Sequence, residues 1–230
     1  MTPETLRAVL AARAEGNTVT LATRIADGVQ FVLPDAGAPA ELNLHAGALV
    51  ASDDSAKIDV GGEAWFLQVE APPARLLIVG AVHVTQSLAP MAAMCGYAPT
   101  IIDPRRGFAT GERFPGLALI REWPDEALAS LAPDDRTAIV TLTHDQKIDD
   151  PALDSALRAR NFFIGALGSR KTHAARLERL AALGHAPDAL ARIRGPVGLA
   201  IGARTAPEIA LSILAEITAA RRNSALGKRS

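Results

Sequence analysis

Residues 75–84 read Arg-Leu-Leu-Ile-Val-Gly-Ala-Val-His-Val, and the reading of this stretch decides the fold. Leu76–Val79 is an apolar run without a polar interruption, as expected of a strand covered on both faces rather than one with a wet face. Gly80 closes the run. A helical pattern begins directly after it and continues to Cys95, with Gly96 placed as a C-cap. Strand, glycine and helix together form the opening unit of a parallel α/β sheet.

Working outward, the same alternation repeats. Thr100–Ile102 and Leu117–Ile120 read as strands, with a short helix near 125–131. Thr137–Leu142 is strongly strand-like. Asp150 before Pro151 reads as a cap and first-turn proline for a helix running to about Arg160. Phe162–Ile164 is a further strand, Lys171–Leu183 a helix ending at Gly184, and Val197–Ile201 a last strand. Thr205 and Glu208 have capping-box spacing, and Ile209, Ile213 and Ile217 supply the buried stripe of the final helix. Such alternation requires right-handed crossovers. The expected fold over 75–222 is therefore a doubly wound, mostly parallel, Rossmann-like α/β sheet, with ligands outside the carboxyl ends of its strands.

Upstream, residues 1–71 have a different texture. An amphipathic pattern (Leu6, Val9, Leu10) precedes short strand-like pieces at Thr18–Thr23, Val29–Leu33 and Ala64–Val69. This predicts a smaller, mostly β N-terminal domain. The stiff Ala71-Pro72-Pro73-Ala74 stretch is its boundary, and 223–230 reads as a solvated tail.

The totals exclude several classes. With 49% hydrophobic residues and net charge −1 the chain offers no general attraction to nucleic acid or anionic lipid. A single cysteine excludes an internal disulfide framework, and the first residues resemble neither a signal peptide nor a membrane span. A cytoplasmic protein is expected.

Loops at the predicted carboxyl edge carry the candidate binding residues. At Gly80, a dinucleotide fingerprint would place a second glycine where Val82 stands, so the nucleotide signal is weak. Asp103, 23 residues after Gly80, stands where an acidic residue would contact a ribose, or is a turn residue before Pro104. His144 and Asp145 follow the fourth strand and suit proton transfer, hydrogen bonding to a ligand, or plain loop capping. Gly165, Gly168, Ser169, Arg170 and Lys171 combine glycines, a hydroxyl and two cations at a helix start, an anion cradle or an ordinary capped turn. Gly202 and Arg204 repeat glycine and cation before the last helix. No catalytic constellation and no metal-ligand spacing is visible. Cys95 reads as a core thiol, Trp65 and Trp123 as packing residues, and His173 and His185 as surface residues.

Taken in order, Arg75–Gly80 with His83, Thr143-His144-Asp145, Ile164-Gly165 with Gly168–Lys171, and the run Pro196–Ala210 resemble the XdhC/CoxI accessory proteins. The resemblance implies a chaperone for the molybdenum cofactor (molybdopterin). Such a protein protects the cofactor, helps its sulfuration with a cysteine desulfurase, and delivers it to a xanthine-dehydrogenase-type apoenzyme. Homo-oligomerisation is compatible with it. The implied cofactor-binding set is the loop residues above together with His83. Val82 stands where the family usually has glycine and Gln146 where it has a second histidine. Residues 1–71 carry neither its Gly-Ser-x-Pro-Arg segment nor its glycine-rich stretch ending in cysteine, which implies a short or divergent N-terminal domain. Two alternatives stand beside this one: an NAD(P)-dependent oxidoreductase, resting on the fold and Asp103, and a ligand-free scaffold for a dehydrogenase subunit.

Overall fold

The structure, a computed structural model, describes residues 2–52 and 54–222. The tail read at 223–230 lies outside the described residues. Two compact units are present, Met1–Pro72 and Pro73–Ala220.

In the first unit, α1 (Pro3–Ala14) starts at Thr2, whose hydroxyl accepts from the Thr5 N–H, with Pro3 in the first helical turn. Val9 and Ala12 are buried, whereas Leu6 and Leu10 of the expected stripe are exposed. Then come β1 (Val19–Arg24), β2 (Gln30–Leu33), α2 (Ala40–Ser52), β3 (Ala56–Val60) and β4 (Glu63–Glu70). The strands pair antiparallel in the order β2-β1-β4-β3 around Ala22, Leu33, Leu42, Trp65 and Leu67. Two of these elements are absent from the sequence reading. Helix α2 contains Asn43 and Gly47, poor helix formers, yet Leu42, Ala46 and Leu49 fall on one packed face. Strand β3 is joined to β4 by Gly61-Gly62, both at positive φ, a two-residue hairpin turn that the sequence does signal.

The second unit runs β5 (Ala74–Val79), α3 (His83–Met94), β6 (Tyr97–Ile102), β7 (Ala118–Ile120), α4 (Pro124–Leu131), β8 (Thr137–Thr141), α5 (Gln146–Arg158), β9 (Phe163–Ala166), α6 (Arg170–Ala182), α7 (Pro187–Leu190), β10 (Ile193–Arg194) and α8 (Ala206–Arg221). Its six strands are all parallel, in the order β10-β9-β8-β5-β6-β7. The chain winds outward from β5 to β7, then crosses back to β8 and winds the other way. The doubly wound sheet is thus present, with its switch point between β5 and β8. Alternate residues of β5 serve opposite faces. Leu76 and Ile78 pack in the layer of α3 and α8, and Leu77 and Val79 in that of α4, α5 and α6.

Several local expectations are corrected. Val197–Ile201 is not a strand; the last one is Ile193–Arg194. Pro196 has no N–H to donate, Val197 makes a single bond to the Ala166 carbonyl, and Gly198 at φ +108 then turns the chain away. Helix α5 begins at Gln146 rather than after Asp150, because Asp145 caps it by accepting from the Lys147 N–H, and Pro151 sits inside the helix. Cys95 is exposed, not a core thiol, since it follows the buried Leu88–Ala92 face at the outer end of α3. Trp65 is buried as expected, but Trp123 is largely exposed at the start of α4. His185 is not a surface residue: its ring is nearly covered and its Nε2 lies 2.6 Å from Asp154 Oδ1. His173 is half-buried and packs where any side chain on Gly195 would have to stand.

Gly165 in β9 shows how tightly the sheet is covered. A Cβ there would stand 2.5 Å from Val197 Cγ2 and 2.8 Å from the Phe163 ring. Gly165→Ala is expected to destabilise the protein by about 1–3 kcal/mol through overpacking. The reading is a lower urea midpoint at unchanged slope, and an unaltered midpoint would contradict the packing described.

Candidate functional site

Because every strand of the larger sheet is parallel, the loops after β5, β6, β8 and β9 emerge along one edge. At the switch point the loop after β5 is turned inward. Gly80 N–H bonds the Ile102 carbonyl, Ala81 N–H bonds Asp103 Oδ2 at 2.8 Å, and the Thr85 hydroxyl bonds the Gly80 carbonyl. Gly80 has φ +117, and a Cβ there would stand 2.7 Å from Thr143 Cγ2. Glycine is required here so that two loops can touch. His83 is exposed at the start of α3, and Val82 gives that helix no side-chain cap.

Asp103 is fully buried and fully engaged. Its Oδ1 accepts from Arg105 N–H and Nε at 3.0 and 2.9 Å, and its Oδ2 from Ala81 N–H and Arg105 Nη2 at 2.8 and 2.7 Å. A carboxylate has about four lone-pair positions, and here four donors fill them. Burial acts to raise its pKa, but the bonds from Arg105 and Ala81 outweigh it and hold the carboxyl below the usual range.

Across the switch point, the loop after β8 is organised by a residue that the sequence reading passed over. Asp149, buried in the first turns of α5, accepts from the Thr143 hydroxyl at 2.6 Å, from Thr143 N–H at 3.4 Å and from His144 N–H at 3.1 Å. These bonds hold His144 at φ +61, a conformation few non-glycine residues adopt. The His144 and Asp145 side chains are left exposed at the edge. Burial pushes the Asp149 pKa up, only partly countered by Thr143 and Arg176.

Arg176 of α6 approaches from behind, with Nη2 3.7 Å from Asp149 Oδ2, and is as buried as its partner. The same Nη2 donates to the Leu167 carbonyl at 2.9 Å. Burial pulls the Arg176 pKa down; the group stays charged at neutral pH.

The loop after β9 presents the open donor set. Gly168 is at φ +147 beside Thr172. Ser169 caps α6, its hydroxyl accepting from Thr172 N–H at 3.1 Å. The amides of Arg170 and Lys171 lie in the first turn, where helix geometry supplies no acceptor, and both side chains are exposed. Gly165 is buried among Val197, Phe163 and Val140, so its role in the structure is packing. Gly202 has open space around it, while the Arg204 and Thr205 amides are both taken by Glu208 Oε2, the capping box read from the sequence.

The structure therefore links the Gly80 and Asp103 loops through Asp103 itself, and the His144 and Gly168 loops through Asp149 and Arg176. It leaves Gly202 and Arg204 outside that network. Asp149 sits beside Asp150 and looks like an ordinary helix acid. Arg176 was more legible, since it lies four residues before the buried Leu180, on the inner face of α6. Chemically, the edge offers amides, a hydroxyl, two exposed cations and an imidazole, a set suited to an anionic ligand. Among the described residues no group of His, Cys, Asp and Glu could hold a metal ion. No helix among them is long and apolar enough to cross a membrane.

Residues 76–217 match the family model of the XdhC Rossmann domain. The molybdenum cofactor insertion chaperone PaoD of Escherichia coli is 37% identical over 150 residues, 65% of this chain and 41% of that protein. A probable xanthine dehydrogenase subunit of Bacillus subtilis is 33% identical over 162 residues, 70% of this chain and 47% of that protein. The chain thus spans less than half the length of either relative. A crystal structure of a xanthine dehydrogenase from Bacillus halodurans superposes with a TM-score of 0.74 at 25% identity, covering 96% of this chain and 67% of that one.

The Asp103 network yields a pH signature. Its folded pKa lies below the unfolded one, so its stabilisation is present above the ordinary value near 3.9 and is lost as pH falls through the folded value. Asp103→Ala should cost about 1–3 kcal/mol at pH 7 by leaving the Ala81 amide and the partly exposed Arg105 without their acceptor. In urea titrations the gap to the parent protein should narrow below about pH 4; a pH-independent gap would sink this account.

Proposed function

Since this chain belongs to the XdhC family, we propose that it binds molybdenum cofactor and helps to insert it into a xanthine-dehydrogenase-type apoenzyme. One observation carries the reading: the open first-turn amides, capping hydroxyl and paired cations at Gly168–Lys171, on the same edge as the exposed His144 and Asp145. The terminal phosphate of the cofactor fits that donor set, with Arg170 and Lys171 neutralising it and the dipole of α6 aligned behind it. His144 and Asp145 supply hydrogen bonds to the pterin. The cofactor brings its own redox metal and dithiolene sulfurs; the work of this chain is to hold, orient and shield it. The name of the Escherichia coli relative, a molybdenum cofactor insertion chaperone, agrees with such cargo handling. A cysteine desulfurase is the expected sulfur donor in the same sequence of events.

The oxidoreductase alternative is the weaker reading. It would need Asp103 to accept from a ribose hydroxyl, and all four of its lone-pair positions are engaged within the protein.

An anaerobic titration of the purified protein with molybdenum cofactor, with the mass of the bound species determined, tests the proposal. Stoichiometric binding is expected. The Arg170→Ala/Lys171→Ala double variant should bind roughly ten- to a hundredfold more weakly at an unchanged unfolding midpoint. No binding by the parent protein would overturn the reading.

A further inference from the structure

The loop between β6 and β7 has no part in the function proposed above, yet it walls one side of the switch point. Its Phe108 ring is 44% exposed, and its surroundings are built to hold it there. The Arg105 guanidinium lies 4.3 Å from the ring centroid and that of Arg113 5.9 Å. Arg113 Nη1 donates at 2.8 Å to two carbonyls, those of Phe108 and Ala81. A single nitrogen therefore fastens the backbone of Phe108 to the turn after β5. Arg105 is clamped by Asp103, and the carboxylates of Asp145 and Asp149, at the start of α5, also favour its charge. Arg106, next in the chain, is exposed. The neighbouring Phe114 fills the core, so the core has no need of Phe108.

An exposed ring backed by a guanidinium 4.3 Å from its centroid suits a flat heteroaromatic partner. Resting on the function proposed above, we infer that Phe108, backed by Arg105 and Arg113, is the stacking platform for the heteroaromatic ring of the same ligand whose anionic group is held at Ser169–Lys171. In the sheet order β9-β8-β5-β6 the strands that lead into the two loops stand three strand spacings apart, about 14 Å. The ligand is therefore an extended one, with a ring at one end and an anion at the other. The ring is either the pterin itself or the base of a nucleotide joined to it.

Anaerobic equilibrium binding to the parent protein and to Phe108→Ala, Phe108→Leu and Phe108→Trp tests the inference, with two probes: the cofactor in its simple phosphate form and in its dinucleotide form. Because Phe108 stands outside the buried core clusters, the variants should unfold near the parent's midpoint, so a loss of binding cannot be put down to misfolding. Alanine and leucine should each weaken binding about tenfold, and tryptophan should preserve it. Weakening with both probes identifies the pterin as the stacked ring; weakening with the dinucleotide form alone identifies the base. Affinity within twofold of the parent for every variant and both probes would overturn the inference while leaving the proposed function standing. The inference falls equally if Phe108→Ala keeps that affinity and yet fails to activate a dehydrogenase, because the ring then serves a protein contact. Absence of binding by the parent itself would remove the function on which the inference rests.

Discussion

The carboxyl edge of the larger sheet depends on one buried carboxylate. Asp149 gathers two amides and a hydroxyl from Thr143 and His144, and Arg176 stands behind it at 3.7 Å while bonding the Leu167 carbonyl. Both side chains are all but excluded from solvent. Isolating either charge there would cost several kcal/mol, so the two must stay together and the loops they hold must stay with them. His144 keeps its left-handed backbone, and the turn before α6 keeps its place, because of this pair.

With that constraint in place, the two halves of the edge divide their roles. On the β5–β6 side the backbone is spent on itself: Gly80, Ala81 and Asp103 satisfy one another, and Gly80 is small so that Thr143 can touch it. On the β9–α6 side the first-turn donors are left open above a fixed base. A dinucleotide fold commonly uses the first loop as its phosphate seat. In this chain the packing of that loop against its neighbour competes with that use, and the open first-turn amides lie at α6 instead.

Much of this was legible from residue patterns. The uninterrupted apolar strands, the glycines that end them and the Thr205–Glu208 box follow from local physics, because a strand buried on both faces and a capped helix start are each specified within a few residues. Ser169 as the cap of α6 was equally local. The opening of α5 was misplaced because two Asp residues compete as caps, and the choice of Asp145 over Asp150 rests on how the loop after β8 meets Asp149. The strand expected at Val197–Ile201 has the right composition, but Pro196 and Gly198 deny it a ladder.

The amino-acid sequence by itself determined the doubly wound class, the edge where ligands belong and the cationic helix start at Ser169–Lys171, since each is written in neighbouring residues. Only the tertiary structure decided what Asp103, Asp149, Arg176 and Phe108 do. A carboxylate near a strand end can bind a ribose or a protein amide, a helical Asp or Arg can face water or the interior, and an aromatic in a loop can fill a core or stand open. Those outcomes depend on partners far away in the chain: Ala81 for Asp103, Arg176 for Asp149, and Arg113 with its hold on Ala81 for Phe108. Burial and lone-pair occupancy are properties of the folded neighbourhood, and no local pattern carries them.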